Sequence, residues 1–216
     1  METINLTLGP YGVNTYIIVS GGTPGPGGGL RNAIVIDPVN SSALAKAIEP
    51  FDVKYIVNTH GHFDHIGGNN LVKDLKNSRI IIHKNDIQML TDPVKNLSDF
   101  IGGAIISKPA DIIIENEDFK IEFDEISFDI IFLPGHTAGC IGLYNKEEKM
   151  LFSGDFIFKN AIGRIDFPGS SFDKMRESIL KIVDYPDDIT VYPGHDESFL
   201  LGDFKKIYRI FISDES

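Results

Sequence analysis

The chain has 216 residues, 42% of them hydrophobic and 24% charged, which suits a globular protein with a sizeable core and excludes disordered, collagenous and coiled-coil architectures. Its 20 lysines and arginines against 31 aspartates and glutamates give a net charge of −11, a field that repels nucleic-acid phosphates and anionic lipid. No apolar run nears the roughly 18 residues of a membrane span, the start Met-Glu-Thr-Ile lacks a signal pattern, and the lone Cys140 allows neither a disulfide nor a Cys-rich zinc site, so a cytoplasmic protein is expected.

Short β-branched runs predict strands at Thr3–Leu8, Thr15–Val19, Ala33–Ile36, Lys54–Val57 and Arg79–Ile82. The glycine-rich stretch Gly21–Gly29 reads as a hairpin loop, because too few residues precede it for a domain and no Gly-Lys-Ser/Thr follows it. Helical spacing appears in Ser41–Ile48, with Ser41 or Ser42 as cap, and in His65–Leu75, with Ile66, Leu71, Val72 and Leu75 near one face. Thr91–Lys108 is ambiguous, its Gly102 and Gly103 interrupting a weak helical pattern, and could form a lid. Strands follow at Ile112–Ile114, Phe119–Phe123, Ile126–Leu133, Ile141–Tyr144 and Met150–Phe152. Ser171–Val183 returns to helix with Phe172, Met175, Ile179, Ile182 and Val183 as its core stripe, then Ile189–Tyr192 is a strand and Phe204–Phe211 a last helix. Many strands with interspersed helices predict one α+β domain over residues 1–216, two packed sheets covered outside by helices.

Three of the six histidines fall in His60-Gly61-His62-Phe63-Asp64-His65, an order that chance would produce in roughly one chain in two thousand. In an extended segment His60 and His62 point to one side and can face one ion, while the turn into a helix swings Asp64 and His65 toward a second point. Gly61 removes a side chain where crowding would be worst. Three other places repeat one pattern, an apolar strand, a small dipeptide ending in glycine, then a possible ligand: Pro134-Gly135-His136, Ser153-Gly154-Asp155 and Pro193-Gly194-His195. The candidates therefore sit at the C-terminal ends of four strands, where a sheet-based fold gathers its site. His83 lacks such surroundings and reads as an ordinary core or loop histidine.

The hexapeptide, His136, Asp155 and His195, in this order, resemble the metallo-β-lactamase superfamily, and the resemblance runs from Asn14-Thr15-Tyr16 and Val35-Ile36-Asp37-Pro38 to His195. It implies an αββα sandwich of two mixed sheets flanked by helices. His65, Asp155 and the string Gly163-Arg164-Ile165-Asp166-Phe167-Pro168 resemble the glyoxalase II-like hydrolases, and that string is similar in persulfide dioxygenases. The best-known β-lactamases place a cysteine near the position of Asp155, which makes antibiotic hydrolysis the lesser expectation. By this resemblance His60, His62 and His136 would hold one divalent ion, Asp64, His65 and His195 a second, and Asp155 would bridge them, with zinc expected and iron or manganese as alternatives. Asp64 and Asp155 are then the catalytic carboxylates. A hydroxide between the ions would attack a small-molecule ester or thioester such as hydroxyacylglutathione, the centre keeping about one net positive charge for the oxyanion.

Two departures touch the substrate: Asp196-Glu197-Ser198 follows His195 where the hydrolases commonly carry a Gly-Pro-Thr type of sequence, and the chain ends at Ser216 without the helical region with which larger glyoxalase II enzymes hold glutathione. Arg164 is the candidate substrate contact, aimed at a carboxylate of the thiol, unless it pairs with Asp166 or Asp173 instead. Asp37 could hold a ligand imidazole or merely cap its strand. Cys140 reads as a small buried hydrophobe. The rival enzyme is a mononuclear iron persulfide dioxygenase acting on glutathione persulfide, using His60, His62 or neighbouring ligands with His136 and Asp155 for one ion only, and a third reading is a metal-binding module without catalysis. The sequence leaves the oligomeric state open.

Overall fold

The computed structural model describes residues 1–22 and 29–212. Strands β1 (Glu2–Leu8), β2 (Val13–Val19), β3 (Arg31–Ile36), β4 (Phe51–Val57), β5 (Arg79–His83) and β6 (Ile112–Ile114) form one sheet in that order, antiparallel up to β3 and parallel beyond it. β2 and β3 pair antiparallel, and the glycine-rich stretch Gly21–Gly29, expected as a hairpin loop, lies for the most part outside the described residues. The second sheet takes β7 (Lys120–Phe123), β8 (Ile126–Phe132), β9 (Ile141–Asn145), β10 (Met150–Gly154), β13 (Thr190–Pro193) and β14 (Phe199–Leu200), in which β10 and β13 are parallel. A small hairpin, β11 (Ile157–Phe158) with β12 (Ala161–Ile162), lies apart from both.

Strand alternation sorts the apolar residues between two faces. Tyr16, Ile18, Ile34 and Ile36 of the first sheet meet Phe128, Ile130, Leu143 and Phe152 of the second in a shared central core. The opposite faces carry Ile17, Val35 and Ile56, covered by α1 (Ser42–Ile48) and α3 (Asn69–Lys76), and Ile131, Leu151 and Val191, covered by α4 (Phe172–Ile182) and α5 (Leu201–Lys205). This is the expected αββα sandwich. Ser41 caps α1 by accepting from the N–H groups of Ala43 and Leu44, and Ser171 caps α4 by accepting from that of Lys174. Among the described residues no helix is long and apolar enough to cross a membrane.

Three expectations change. The helix foreseen over His65–Leu75 is split into α2 (Phe63–Ile66) and α3, because the chain packs at Gly68 against Pro38, whose carbonyl accepts the Gly68 N–H at 2.7 Å. Leu75 is consequently 53% exposed, off the buried face that Ile66 and Val72 share. The helix foreseen over Phe204–Phe211 is two short pieces, α5 and α6 (Arg209–Ile212). Thr91–Lys108 is irregular except for a 3-10 turn at Ser98–Ile101, and the buried Asn96 side chain pins it by donating to the carbonyls of Met89 and Ile105.

Candidate metal centre

The candidate ligands follow β4 (His60, His62), β8 (His136), β10 (Asp155) and β13 (His195), with Asp64 and His65 in α2. The C-terminal ends of those strands gather at one end of the sandwich, and all seven side chains meet there. They form two groups of ligand atoms, His60 with His62 and His136, and Asp64 with His65 and His195, each spanning no more than 4.8 Å. Asp155 faces both, one oxygen 3.4 Å from His65 Nε2 and the other 3.7 Å from His136 Nε2 and 3.4 Å from His195 Nε2. The approach is tight: a Cβ at Gly194 would lie 2.2 Å from the Asp155 carboxylate, and one at Gly61 would lie 2.5 Å from Met89.

The first group is built from neutral imidazoles. Burial, reinforced by His65 and His62, holds His60 well below its ordinary 6.5; burial and His136 bring His62 down to about 3; burial lowers His136 against the pull of Asp155. Hydrogen bonds fix which nitrogen is bare. The Thr59 hydroxyl donates to Asp37 at 2.6 Å and so accepts from His60 Nδ1 at 3.2 Å, while His136 Nδ1 donates to the Arg164 carbonyl at 2.9 Å. His60 Nε2 is buried without a partner, and His136 Nε2 faces His62 Nδ1 at 2.9 Å. The bare nitrogens of His60 and His136, the former orphaned in the interior, with His62 Nδ1 able to give up its proton, suit a cation there.

The second group is charged. Burial opposes a proton on His65, but the carboxylates of Asp155, Asp64 and Asp37 outweigh it and lift His65 well above 6.5. Burial opposes His195 too, yet bonding to Asp155 and Asp64 raises it to about 10. His65 Nε2 and His195 Nε2 lie 3.3 Å apart, so the pair shares its extra charge with the two aspartates around it. His65, with His195, in turn drives Asp155 well below the usual carboxylate range despite its burial. Asp155 Oδ1 accepts no hydrogen bond, so carboxylate oxygen is available to a second divalent ion, joined by the two imidazoles as the ion displaces their Nε2 protons.

Residues outside the ligand set hold these groups in place. Asp37 is buried and accepts from the Thr59 N–H at 2.8 Å, the Thr59 hydroxyl and His65 Nδ1 at 3.0 Å, so it orients an imidazole in each group. The Tyr11 carbonyl holds His195 Nδ1 at 3.0 Å, and Tyr16 Oη with Asn14 Nδ2 donate to the Pro193 carbonyl beneath it. Buried Asp86 accepts from the Gly61 N–H at 3.0 Å and the Thr137 hydroxyl at 2.7 Å, tying the hexapeptide to the His136 loop. Sequence reasoning missed Asp86 and Tyr11. Asp86 follows a strand without a glycine, and Tyr11 holds His195 through its backbone carbonyl while its ring packs edge-on against Phe63 in the cleft.

His83 stays outside these groups, its Nδ1 accepting from the Asn85 N–H and its ring packing on Phe132. Cys140 is buried, and burial together with Asp86 pushes its thiol up, so it is no nucleophile. A cleft of about 500 Å³ opens onto the centre. Arg164 lines it, but both Asp166 oxygens hold the guanidinium, at 2.9 and 2.7 Å, and it lies 4.0 Å over the Phe167 ring.

Residues 8–195 match the Metallo-beta-lactamase superfamily, and the chain belongs to it. Fold and donor groups together define the class, a metal-dependent hydrolase of that superfamily. Hydroxyacylglutathione hydrolase GloC of Haemophilus influenzae is 32% identical over 181 residues, which span 82% of this chain and 85% of that protein. Among solved structures, the BLEG-1 B3 metallo-beta-lactamase is similar with a TM-score of 0.88 at 28% identity, covering 98% of this chain and 100% of that one. TTHA1623 in a di-iron-bound form gives a TM-score of 0.76 at 27% identity, covering 94% and 97%.

Proposed function

We propose that the protein hydrolyses an activated acyl compound, a thioester or ester, with two divalent ions held by the two donor groups. The observation that carries this reading is Asp155, whose two oxygens face the first and the second group at once. Bound there, the ions would supply Lewis acidity toward the substrate carbonyl and make water more acidic. Zinc suits a site of imidazole and carboxylate donors, and the di-iron form of TTHA1623 makes iron the alternative. The chain's own part is to position and to exclude. Asp64 Oδ2, 3.6 Å from His195 Nε2, is placed to accept the proton of an attacking water, and the imidazoles keep their outer nitrogens on fixed acceptors. Hydrolysis breaks the acyl C–S or C–O bond, leaves the water oxygen on the acyl carbon, sends one water proton to the thiol or alcohol and releases the other as the acid ionises. The name of the GloC relative supports a thioester, and a glutathione thioester would bring a carboxylate to Arg164 if Asp166 gave way.

A β-lactam is the second reading, favoured by the likeness to BLEG-1. The test is elemental analysis of protein purified without added metal, with a panel of thioesters, esters and a chromogenic cephalosporin, and oxygen uptake on glutathione persulfide. Two ions per chain with thioester turnover are expected. Oxygen uptake with a single iron, or metal with no turnover at all, overturns the reading.

A further inference from the structure

We propose, resting on the hydrolase reading, that the substrate this cleft selects carries an uncharged hydrocarbon chain beside its scissile bond. Without the five metal-ligand candidates that reach it, the lining consists of aromatic and aliphatic side chains plus Arg164. Phe63 comes from α2, Leu97 and Phe100 from the irregular segment before β6, Phe158 and Ile162 from the small hairpin, and Phe167 from the loop before α4. Four separate segments thus converge to make one apolar wall against the centre.

Polar recognition is missing where a peptide-like thiol would need it. Such a thiol brings free carboxylates, yet the one lysine or arginine lining the cleft among the described residues is Arg164, already neutralised by Asp166 and stacked on Phe167. The other charged groups there are the aspartates and histidines of the centre, on a chain of net charge −11, and the one further polar side chain among the described lining residues is the phenol of Tyr11. An added anion finds only the guanidinium donors that Asp166 leaves over, on a charge that Asp166 already offsets. An alkyl chain meets no such obstacle. The mouth points the same way: Phe100 is 73% exposed and Ile101 49%, apolar surface in water that a bound hydrocarbon would cover.

The test compares the zinc- and iron-loaded protein on acetyl, butanoyl, hexanoyl and octanoyl thioesters of N-acetylcysteamine, an uncharged thiol, and of glutathione. A parallel set varies the thiol from ethyl to octyl on an acetyl group, which tells on which side of the carbonyl the chain lies. A kcat/KM rising about fourfold per methylene in one of the two sets is expected, with no preference for glutathione. Phe100→Ser, a change at an exposed position, should flatten that slope. Calorimetric titration with 2-nonanone and with S-methylglutathione reads the cleft without turnover: the ketone should bind and Phe100→Ser should weaken it. A flat chain-length series, a tenfold preference for glutathione thioesters that Arg164→Ala abolishes, or binding of S-methylglutathione but not the ketone would overturn the proposal. Ketone binding without turnover of any substrate would instead overturn only the hydrolase reading.

Discussion

Asp37→Asn separates the holding of the ligands from ligation itself. In the native chain the carboxylate accepts three hydrogen bonds, at 2.6, 2.8 and 3.0 Å, from the Thr59 hydroxyl, the Thr59 N–H and His65 Nδ1. The amide has the same shape, and its oxygen can still accept the Thr59 N–H. Its NH₂ then faces His65 Nδ1 and the Thr59 hydroxyl, donor against donor. His65 escapes by giving up its Nδ1 proton and keeping the one on Nε2, where the second donor group needs a lone pair. Loss of such an orienting partner weakens metal binding about 10- to 100-fold, or about 1.4 to 2.7 kcal/mol. The first group feels the change only through Thr59 and His60, so its loss should stay within about fivefold. Stepwise titration of metal-free protein with zinc against a competing chromophoric chelator resolves both affinities. Unchanged affinity at both steps, or equal losses at both, would refute the hydrogen-bond argument.

Asp155→Ala should weaken both ions while His195→Ala mainly releases one, read as metal per chain after dialysis; identical losses in the two variants would contradict the shared position of Asp155. The metal-free second group holds an extra proton because His195 is raised to about 10, so below that pH the ion competes with a proton. Its affinity should therefore climb at least about tenfold per pH unit through neutrality, more where His65 must release its proton too, whereas the first group, with His62 down at about 3, should bind with little pH dependence above pH 7. Calorimetry in buffers of different ionisation enthalpy checks this through protons released by one ion and not by the other. Gly194→Ala, whose Cβ would meet Asp155 at 2.2 Å and His65 at 2.7 Å, should abolish occupancy of the second group while leaving the circular dichroism native. Asp86→Ala leaves the Gly61 N–H and the Thr137 hydroxyl without their acceptor in the interior and should cost about 2 to 4 kcal/mol in urea unfolding of the metal-free protein.

The strands ending at His60, His136, Asp155 and His195 were legible in the chain, because β-branched runs and a glycine before a ligand are local signals. So was the helix at Phe172–Ile182, whose apolar stripe repeats at helical spacing and whose Ser171 caps it. These features follow from interactions within a few residues, and the amino-acid order contains them directly. What holds the ligands does not. Asp37 reaches Thr59 across 22 residues, Asp86 reaches Thr137 across 51, and Tyr11 reaches His195 across 184. The break between α2 and α3 comes from the contact of Gly68 with Pro38, which no helical periodicity announces. The wall of the cleft is decided the same way: Phe63, Phe100, Phe158 and Phe167 are apolar residues of short, separate segments, and only folding puts them beside one centre. Arg164 shows both levels at once. Its nearness to Asp155 in sequence suggested that it faces the site, and the packing of Asp166 and Phe167 around its guanidinium decided what charge the cleft presents.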